Sequence, residues 1–313
     1  MGRVNRGQLK TPKKSILKYF SPVDISGVLG QEMKDMDIGE SFGYFARMSH
    51  KDKLFLNRYS IKDMMSIMDK VGMLRHLERK GFSAPLVELD LDDSMIFYFK
   101  LYDSDKTPEN LLIDLRLSDT RFVPEKRFFE EKHVLSTLDM IVIEWLSIQN
   151  PRGKFQKDRP QLPGQSRPGL GCLGFLMDMM HTVAEGVIKD GFMDIPEHMH
   201  GAIMYSKNFM FFNPAHEGVM RAILRDLKKY PLYEISWGMI TGTIIDKETG
   251  MPQVYDPSEQ IFPVSRRLKE YYNSRKYRKK FKEIYKIKKY RFDYEEMNRR
   301  RAEIIQKKSI ADL

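Results

Sequence analysis

The sequence predicts an α+β fold. Strand-like runs separated by turn residues occupy Leu86–Leu91, Met95–Leu101 and Leu111–Leu117, after an amphipathic helical pattern. A fourth strand-like run, Asp139–Ile148, precedes a loop rich in Gly and Pro. Successive strands after one helix favour an antiparallel meander, whereas a parallel nucleotide-binding fold would alternate strands with helices. We therefore expect an α+β fold that opens with an antiparallel meander.

The first helical pattern begins at a capping box. Ser60 and Asp63 stand three residues apart, with Asp in place of the more usual Glu. Apolar residues then recur at helical spacing: Met64, Ile67, Met68, Val71, Leu74 and Leu77. Gly81 supplies a stop signal. The pattern predicts one amphipathic helix with one buried face.

The later part of the chain continues with mixed elements. The pattern predicts, in chain order, a helix over Phe175–Lys189, a strand over Gly191–Ile195, a helix over Glu217–Lys229, a strand over Tyr233–Ile245, a turn at Asp246–Gly250 and a short return strand near Val254. Two prolines between Asp256 and Val264 are typical of a boundary.

Composition limits the class of protein. The 313 residues contain no apolar run long enough to span a bilayer, and the N-terminus carries no apolar signal region. Cys172 is the single cysteine, which excludes an internal disulfide framework and fits a reducing compartment. We therefore expect a cytoplasmic protein that makes no contact with membranes.

The positive charge is concentrated near the C-terminus. The net charge is +10, yet residues 266–308 alone carry 18 Lys and Arg against 6 Asp and Glu. The rest of the chain is slightly acidic. The sequence accordingly predicts three parts: a flexible arm over residues 1–50, a folded domain over 51–260, and a basic, aromatic-rich helical extension over 261–313.

The loop between the fourth strand and the next helix is a candidate phosphate site. Gly169, Gly171 and Gly174 allow close backbone approach, and a helix N-terminus presents N–H groups to an anion. Arg167 adds a cation suited to a forked contact with phosphate. Gly-rich turns are also common as plain connectors, and the position between strand and helix favours the functional interpretation.

The order of elements, the segment Gln165–Gly171 and the segment Ala202–Phe209 together resemble the GNAT superfamily of acetyl-CoA-dependent N-acetyltransferases. The resemblance implies a GNAT-like central mixed sheet with flanking helices. It also implies an acyl-CoA co-substrate, acetyl-CoA or another, whose pyrophosphate lies on the glycine loop. It implies that backbone groups at the end of the fourth strand hold the pantetheine arm. The residues implied to bind the coenzyme are Ile148, Gln149, Gln165, Arg167, Gly169, Leu170, Gly171 and Gly174.

The resemblance also implies the catalytic groups for acyl transfer to an amine. Tyr205 is the candidate general acid toward the departing thiolate. The base that takes the amine proton is Glu197 or Glu144, and His198 is a further candidate for base or polar lining. His198 and His200 would hold a metal only if a third ligand folded back, and their spacing does not match a zinc-binding motif, so we expect no metal.

The basic extension suggests a second partner besides the amine acceptor. Its tyrosines and phenylalanines are interleaved with Lys and Arg, a composition suited to nucleic acid, although the same aromatics would equally pack against the body. An acidic protein is the other candidate partner for residues 266–308. The sequence therefore leaves two functions open: an acyl-CoA-dependent N-acyltransferase, or a non-catalytic GNAT-shaped scaffold that binds its partner through the extension.

Overall fold

The structure is a computed structural model and describes residues 54–91, 96–125 and 137–313. The predicted arm, residues 1–50, lies outside the described residues. The described chain is α+β, as predicted, with a seven-stranded mixed sheet and a separate two-stranded sheet. The four strands that begin the large sheet form an antiparallel meander, which confirms the expectation from the sequence.

The strands of the large sheet lie in the order β1-β2-β3-β4-β5-β8-β6. Their bounds are β1 Pro85–Leu91, β2 Ile96–Asp103, β3 Leu111–Phe122, β4 Leu138–Ile148, β5 Gly191–Asp194, β6 Met210–Phe211 and β8 Gln260–Pro263. The small sheet pairs β7 Ile244–Asp246 with β9 Tyr290–Phe292. The predicted strand near Val254 does not form, and an isolated bridge joins Ile245 to Pro252 instead.

The helices flank the large sheet and fill the connections. Their bounds are α1 Ile61–Lys70, α2 Met73–Arg79, α3 Leu173–Val187, α4 Met199–Tyr205, α5 Pro214–Asp226, α6 Leu232–Ile240, α7 Arg266–Asn273, α8 Arg275–Ile287 and α9 Tyr294–Lys307. The largest apolar core packs α1, α2 and α3 against the sheet. In the described part of the chain, no helix is long and apolar enough to cross a membrane.

The first helix is shorter than the sequence predicts. The capping box at Ser60 is present, with both reciprocal hydrogen bonds to Asp63. The helix ends at Lys70, however, and α2 begins at Met73. Gly72 between them has φ +83°, a left-handed conformation that interrupts the helical ladder and that glycine adopts without strain. The break turns α2 into a separate element.

The predicted strand Tyr233–Ile245 is wrong over most of its length. Residues Leu232–Ile240 form α6, and only Ile244 and Ile245 of the predicted run belong to a strand. The apolar and aromatic residues of α6 are buried nearly all round, including Trp237 with no exposed surface. A helix buried on most faces lacks the periodic polar positions by which a sequence is recognised as helical.

The C-terminal part is integrated into the body of the protein. The predicted boundary at residue 260 falls inside β8, which pairs with both β5 and β6. Tyr271, Tyr272 and Tyr277 are buried, and their hydroxyls donate to the carbonyls of Phe212, Met210 and Phe211. Of the two interpretations of these aromatics, the structure shows packing, so these three rings are closed to a nucleic acid.

Candidate functional site

The central feature of the site is a gap in the large sheet. β4 and β5 are parallel, but they pair only through Met140, Ile141 and Val142 on the β4 side. β5 ends at Asp194, and Pro196 soon afterwards lacks the N–H that a ladder requires. The rest of β4, to Ile148, pairs with β3 alone. Six residues of β4, 143–148, therefore have no strand partner on the β5 side, over a length of roughly 20 Å.

The open edge presents defined backbone groups. Gln149 N–H donates to Leu112 O at 2.9 Å, so it points toward β3. Because strand residues alternate, the N–H and C=O groups of Leu146 and Ile148 point away from β3, into the gap. Among the backbone groups near Ile148 and Gln149 that are predicted to pair with a pantetheine arm, the Gln149 N–H is already bonded within the sheet. Leu146 and Ile148 supply the free groups.

A β-bulge lies where the gap begins. Arg116 pairs with Trp145 and Leu117 with Ile143, so Glu144 is the extra residue. A bulge bends and twists its strand, and bulges are frequent beside active sites. The Glu144 side chain is exposed and accepts a short hydrogen bond from Ser118. Glu144, which was predicted as a base, therefore lies at the bend, and its carboxylate is hydrogen-bonded to Ser118 on β3.

The glycine loop lies against the end of β4 and is held by its carbonyls. Asn150 N–H donates to Pro168 O at 2.6 Å, and His76 Nε2 lies 3.1 Å from Leu170 O. Among the described residues, no N–H group from Gly169 to Phe175 donates to another residue, and the Cys172 N–H interacts with its own thiol. Leu170 and Cys172 are buried, which closes their N–H groups to a ligand. Five N–H groups of the loop and the first turn of α3 remain available to an anion: those of Gly169, Gly171, Leu173, Gly174 and Phe175.

Buried apolar residues alternate with exposed glycines along this loop. Leu170 and Cys172 are buried in the core, whereas Gly169, Gly171 and Gly174 are exposed. Gly171 has φ +72°, which requires glycine. Gly174 does not need to be glycine for packing, because a Cβ there would meet nothing within 4 Å. Gly174 therefore leaves the backbone of the first helical turn open to close approach.

The two polar side chains predicted in the loop have local partners. Gln165 Oε1 accepts from Leu162 N–H at 3.1 Å, so this side chain stabilises the turn before the glycines. Arg167 Nη1 donates to Pro151 O at 3.2 Å, which leaves its other guanidinium N–H groups for a ligand. The backbone, not Gln165, is therefore the main donor set of the loop.

Asp194 lies at the apex of the gap, at the end of β5. Its side chain is buried, and within the described part of the chain no side chain forms a hydrogen bond or ion pair with it. Burial raises its pKa to about 7, the Ile195 N–H partly offsets this rise, and the negative charge of Glu197 adds to it. A carboxyl with this pKa exchanges its proton near neutral pH, as a general base must.

Tyr205 lies near Asp194, at the C-terminal end of α4. Burial raises the pKa of its phenol above the ordinary value, and the charge of Asp194 contributes a smaller rise. The hydroxyl has no hydrogen-bond partner among the described residues, and the ring packs against Phe209 with centroids 5.4 Å apart. Tyr205 therefore keeps its proton at neutral pH and has it free to donate.

The remaining predicted residues lie between β5 and α4. Glu197 is exposed. His198 is the N-cap residue of α4 and is stacked on His200, with centroids 5.2 Å apart. Burial and then the charge of His198 lower the pKa of His200 to about 4, and Ser236 Oγ lies 2.9 Å from its Nδ1. No cluster of three or more His, Cys, Asp or Glu suited to a metal is present in the described ranges.

The structure thus brings most of the residues predicted to bind the coenzyme to one place and adds a buried carboxyl, Asp194. One surface is formed by the unpaired edge of β4, the glycine loop and the N-terminus of α3. Asp194 and Tyr205 lie at the apex of the gap, where β5 ends. The sequence interpretation missed Asp194. A signal existed: Asp194 lies near the end of the predicted strand Gly191–Ile195, and ligands in α/β sheets bind at the carboxyl ends of parallel strands.

No family model, curated protein or solved structure matches this chain. Its function is therefore inferred from the geometry of the gap, the loop and the two titratable groups.

The raised pKa of Asp194 predicts a pH-dependent stability. The native state holds this proton up to about pH 7, whereas an unfolded carboxyl loses it near its ordinary value of 3.8. Between these values the native state binds more protons, so the wild type loses stability as pH rises. We expect Asp194→Asn to have a free energy of unfolding roughly 4 kcal/mol above wild type at pH 8, with the difference falling below about 1 kcal/mol near pH 4. Urea unfolding at both pH values measures it.

Asp190 at the other end of β5 is the matched control. Burial works to raise its pKa, but the Arg267 guanidinium and the Asp139 N–H hold the pKa below its usual value. Asp190→Asn should therefore destabilise the protein at pH 8, and the loss should shrink as pH falls. A stability difference for Asp194→Asn that is the same at pH 4 and pH 8 would contradict the assignment.

Proposed function

We propose that the chain is an acyl-CoA-dependent N-acyltransferase that transfers an acetyl or other acyl group to an amine. The observation that carries this proposal is the run from Gly169 to Phe175, with five unbonded N–H groups outside the core, beside the unpaired edge of β4. The run is suited to a diphosphate and the edge to an amide-bearing arm, which would add hydrogen bonds as a strand does. Coenzyme A joins these two kinds of group in one molecule.

The topology also favours a GNAT-like fold. An antiparallel meander leads into β4, the glycine loop and α3 follow, and β5 then runs parallel to β4. This is the order of elements that the sequence resemblance implies. The bulge at Glu144 and the short β5 open the sheet at the place where a thioester would lie between the two strands.

The proposed reaction requires two proton transfers, one at Asp194 and one at Tyr205. The amine nitrogen attacks the thioester carbonyl, a C–N bond forms, and the C–S bond breaks. Asp194 takes the proton that the amine loses, and Tyr205 gives its proton to the departing thiolate. We infer Asp194 as the base in preference to Glu144, which is bonded to Ser118, and to Glu197, which is exposed. Much of the rate enhancement would come from binding the amine and the thioester next to each other in a reactive orientation.

Gly174→Ala should separate ligand binding from folding. Alanine is the better helix former, and its Cβ meets no protein atom, so we expect stability to rise by about 0.5–1 kcal/mol. The same Cβ would stand where the diphosphate approaches, and we expect affinity for acetyl-CoA to fall roughly tenfold, equivalent to about 1.4 kcal/mol. Isothermal calorimetry and thermal unfolding measure the two effects.

Gly171→Ala is the contrasting variant. Its φ of +72° makes any side chain strained, so this variant should lose both stability and affinity. Wild-type protein that binds no acetyl-CoA at millimolar concentration would refute the proposed function. Unchanged affinity in Gly174→Ala would refute the assignment of the diphosphate to this loop.

Tyr205→Phe tests the acid. We expect kcat for acyl transfer to a small amine to fall roughly 10²-fold, because the thiolate would leave without a proton. The affinity for acetyl-CoA should stay within twofold, since the phenol is not part of the phosphate surface. Release of free thiol gives the rate, and calorimetry gives the affinity. Equal loss of rate and affinity would mean that Tyr205 is structural.

The second candidate function is a nucleic-acid-binding protein without acyltransferase activity. The observation that favours it is an unpaired cationic face on α8. Four of its basic side chains are exposed and form no ion pair with any described residue: Arg275, Lys279, Lys282 and Lys286. They are spaced four, three and four residues apart, which places them on one side of the helix over roughly 16 Å.

Replacing these four residues with Gln distinguishes the two candidates. A nucleic-acid-binding protein would lose affinity for single-stranded RNA, with the slope of log K against log salt becoming less negative by up to about 3. The acyltransferase would keep its affinity for acetyl-CoA in the same variant. Wild-type protein that binds no RNA at low salt excludes the second candidate.

A further inference from the structure

A cavity of about 510 Å³ lies between α2 and the first turn of α3. It is lined by Val71, Gly72, Arg75, Glu78, Arg79 and Phe175. Phe175 follows Gly174 directly, so the cavity begins where the run of free N–H groups ends. The hydrogen-bond distance of 3.1 Å between His76 Nε2 and Leu170 O fixes α2 against the glycine loop. The cavity and the loop therefore form neighbouring parts of one surface.

The walls of the cavity combine an aromatic ring with guanidinium groups. A Cβ placed on Gly72 would lie 3.7 Å from both Arg75 Nη2 and Phe175 Cε1. The guanidinium group and the aromatic ring are therefore next to the same part of the cavity. Arg75 and Arg79 are exposed, and neither forms an ion pair with a described residue. The Arg79 Nε donates to Arg75 O at 3.2 Å, which leaves its terminal amino groups free.

The charge on the cavity is positive but not uniform. Two arginines stand against one acid, Glu78, which lines the same cavity and forms no ion pair with either of them. An anion in the cavity would be attracted by the two guanidinium groups and repelled by Glu78. A volume of this size is typical of pockets for small organic ligands, and it exceeds what a bare phosphate needs.

We propose that this cavity holds the 3′-phosphorylated adenosine end of coenzyme A. The inference rests on the proposed function, which places the diphosphate on the N–H groups from Gly169 to Phe175. In coenzyme A the group beyond the diphosphate is the ribose with its 3′-phosphate and adenine. Arg75 and Arg79 are suited to that phosphate, and the Phe175 ring is suited to stacking on the base. The enzyme would therefore distinguish coenzyme A from its 3′-dephospho form.

The test compares the affinities of coenzyme A and 3′-dephospho-coenzyme A by calorimetry on the full chain. We expect the wild type to prefer coenzyme A roughly tenfold, as charge-assisted hydrogen bonds at a partly exposed site would give. The double variant Arg75→Gln with Arg79→Gln should bind both ligands with affinities within about twofold of each other. Its affinity for the dephospho form should match that of the wild type, because only the phosphate contact is lost.

Two further variants sharpen the result. Glu78→Gln removes the repelling charge and should increase the preference for coenzyme A by a few-fold. Arg266→Gln removes one positive charge from α7, where the side chain is 92% exposed and paired with Glu270, and should leave the preference unchanged. All of these residues are exposed, so thermal unfolding should show native stability in each variant.

Equal affinity of the wild type for the two ligands would overturn the inference, and so would a preference that survives in the double variant. Either result leaves the proposed function standing, because both ligands would still bind. Absence of binding for both ligands would instead refute the proposed function and this inference together. Binding of inorganic phosphate as tight as that of coenzyme A would show an unspecific anion site and would also overturn it.

Discussion

The candidate site depends on the separation of two parallel strands. β4 and β5 share only three paired residues on the β4 side, because a bulge at Glu144 bends one strand and Asp194 ends the other two residues before Pro196. An unpaired strand edge inside a sheet leaves polar groups without partners, which is costly unless water or a ligand satisfies them. The glycine loop follows the unpaired end of β4, and Asp194 ends the strand that leaves it unpaired.

The C-terminal region completes the sheet and is not an independent appendage. β8 is inserted between β5 and β6, and three buried tyrosines of α7 and α8 donate to the carbonyls of Met210, Phe211 and Phe212. Loss of these hydroxyl partners would leave buried carbonyl groups unsatisfied, at about 1–3 kcal/mol each. The basic residues belong to the outer faces of helices whose inner faces form part of the core.

Local signals in the sequence predicted the elements near the site well. Each of these elements shows a hydrophobic periodicity or a stop signal that depends on neighbouring residues alone: the meander, the strand before the glycine loop, α3 and β5. α6 was predicted as a strand because its apolar residues are buried on nearly all sides and show no helical stripe. The break at Gly72 was missed because an isolated glycine is compatible with a continuous helix.

The parts of the site that could not be predicted depend on contacts distant in sequence. The direction of the Gln149 N–H is set by pairing with Leu112, and the raised pKa of Asp194 is set by burial between elements. In the sequence, Arg75 and Arg79 are indistinguishable from other exposed residues of a helix. Only the packing of α2 beside Phe175 places them on a cavity. Charge and glycine content indicated an anion site, but the donors and the base required the fold.

The central claim is that five N–H groups are unbonded in the free protein and bind a diphosphate: those of Gly169, Gly171, Leu173, Gly174 and Phe175. Amide hydrogen exchange of these residues, followed by nuclear magnetic resonance with and without coenzyme A, tests it directly. The account predicts fast exchange in the free protein and marked protection of this run when the coenzyme is added. Strong protection in the free protein, unchanged by coenzyme A, would show that protein acceptors already hold these groups and would contradict the account.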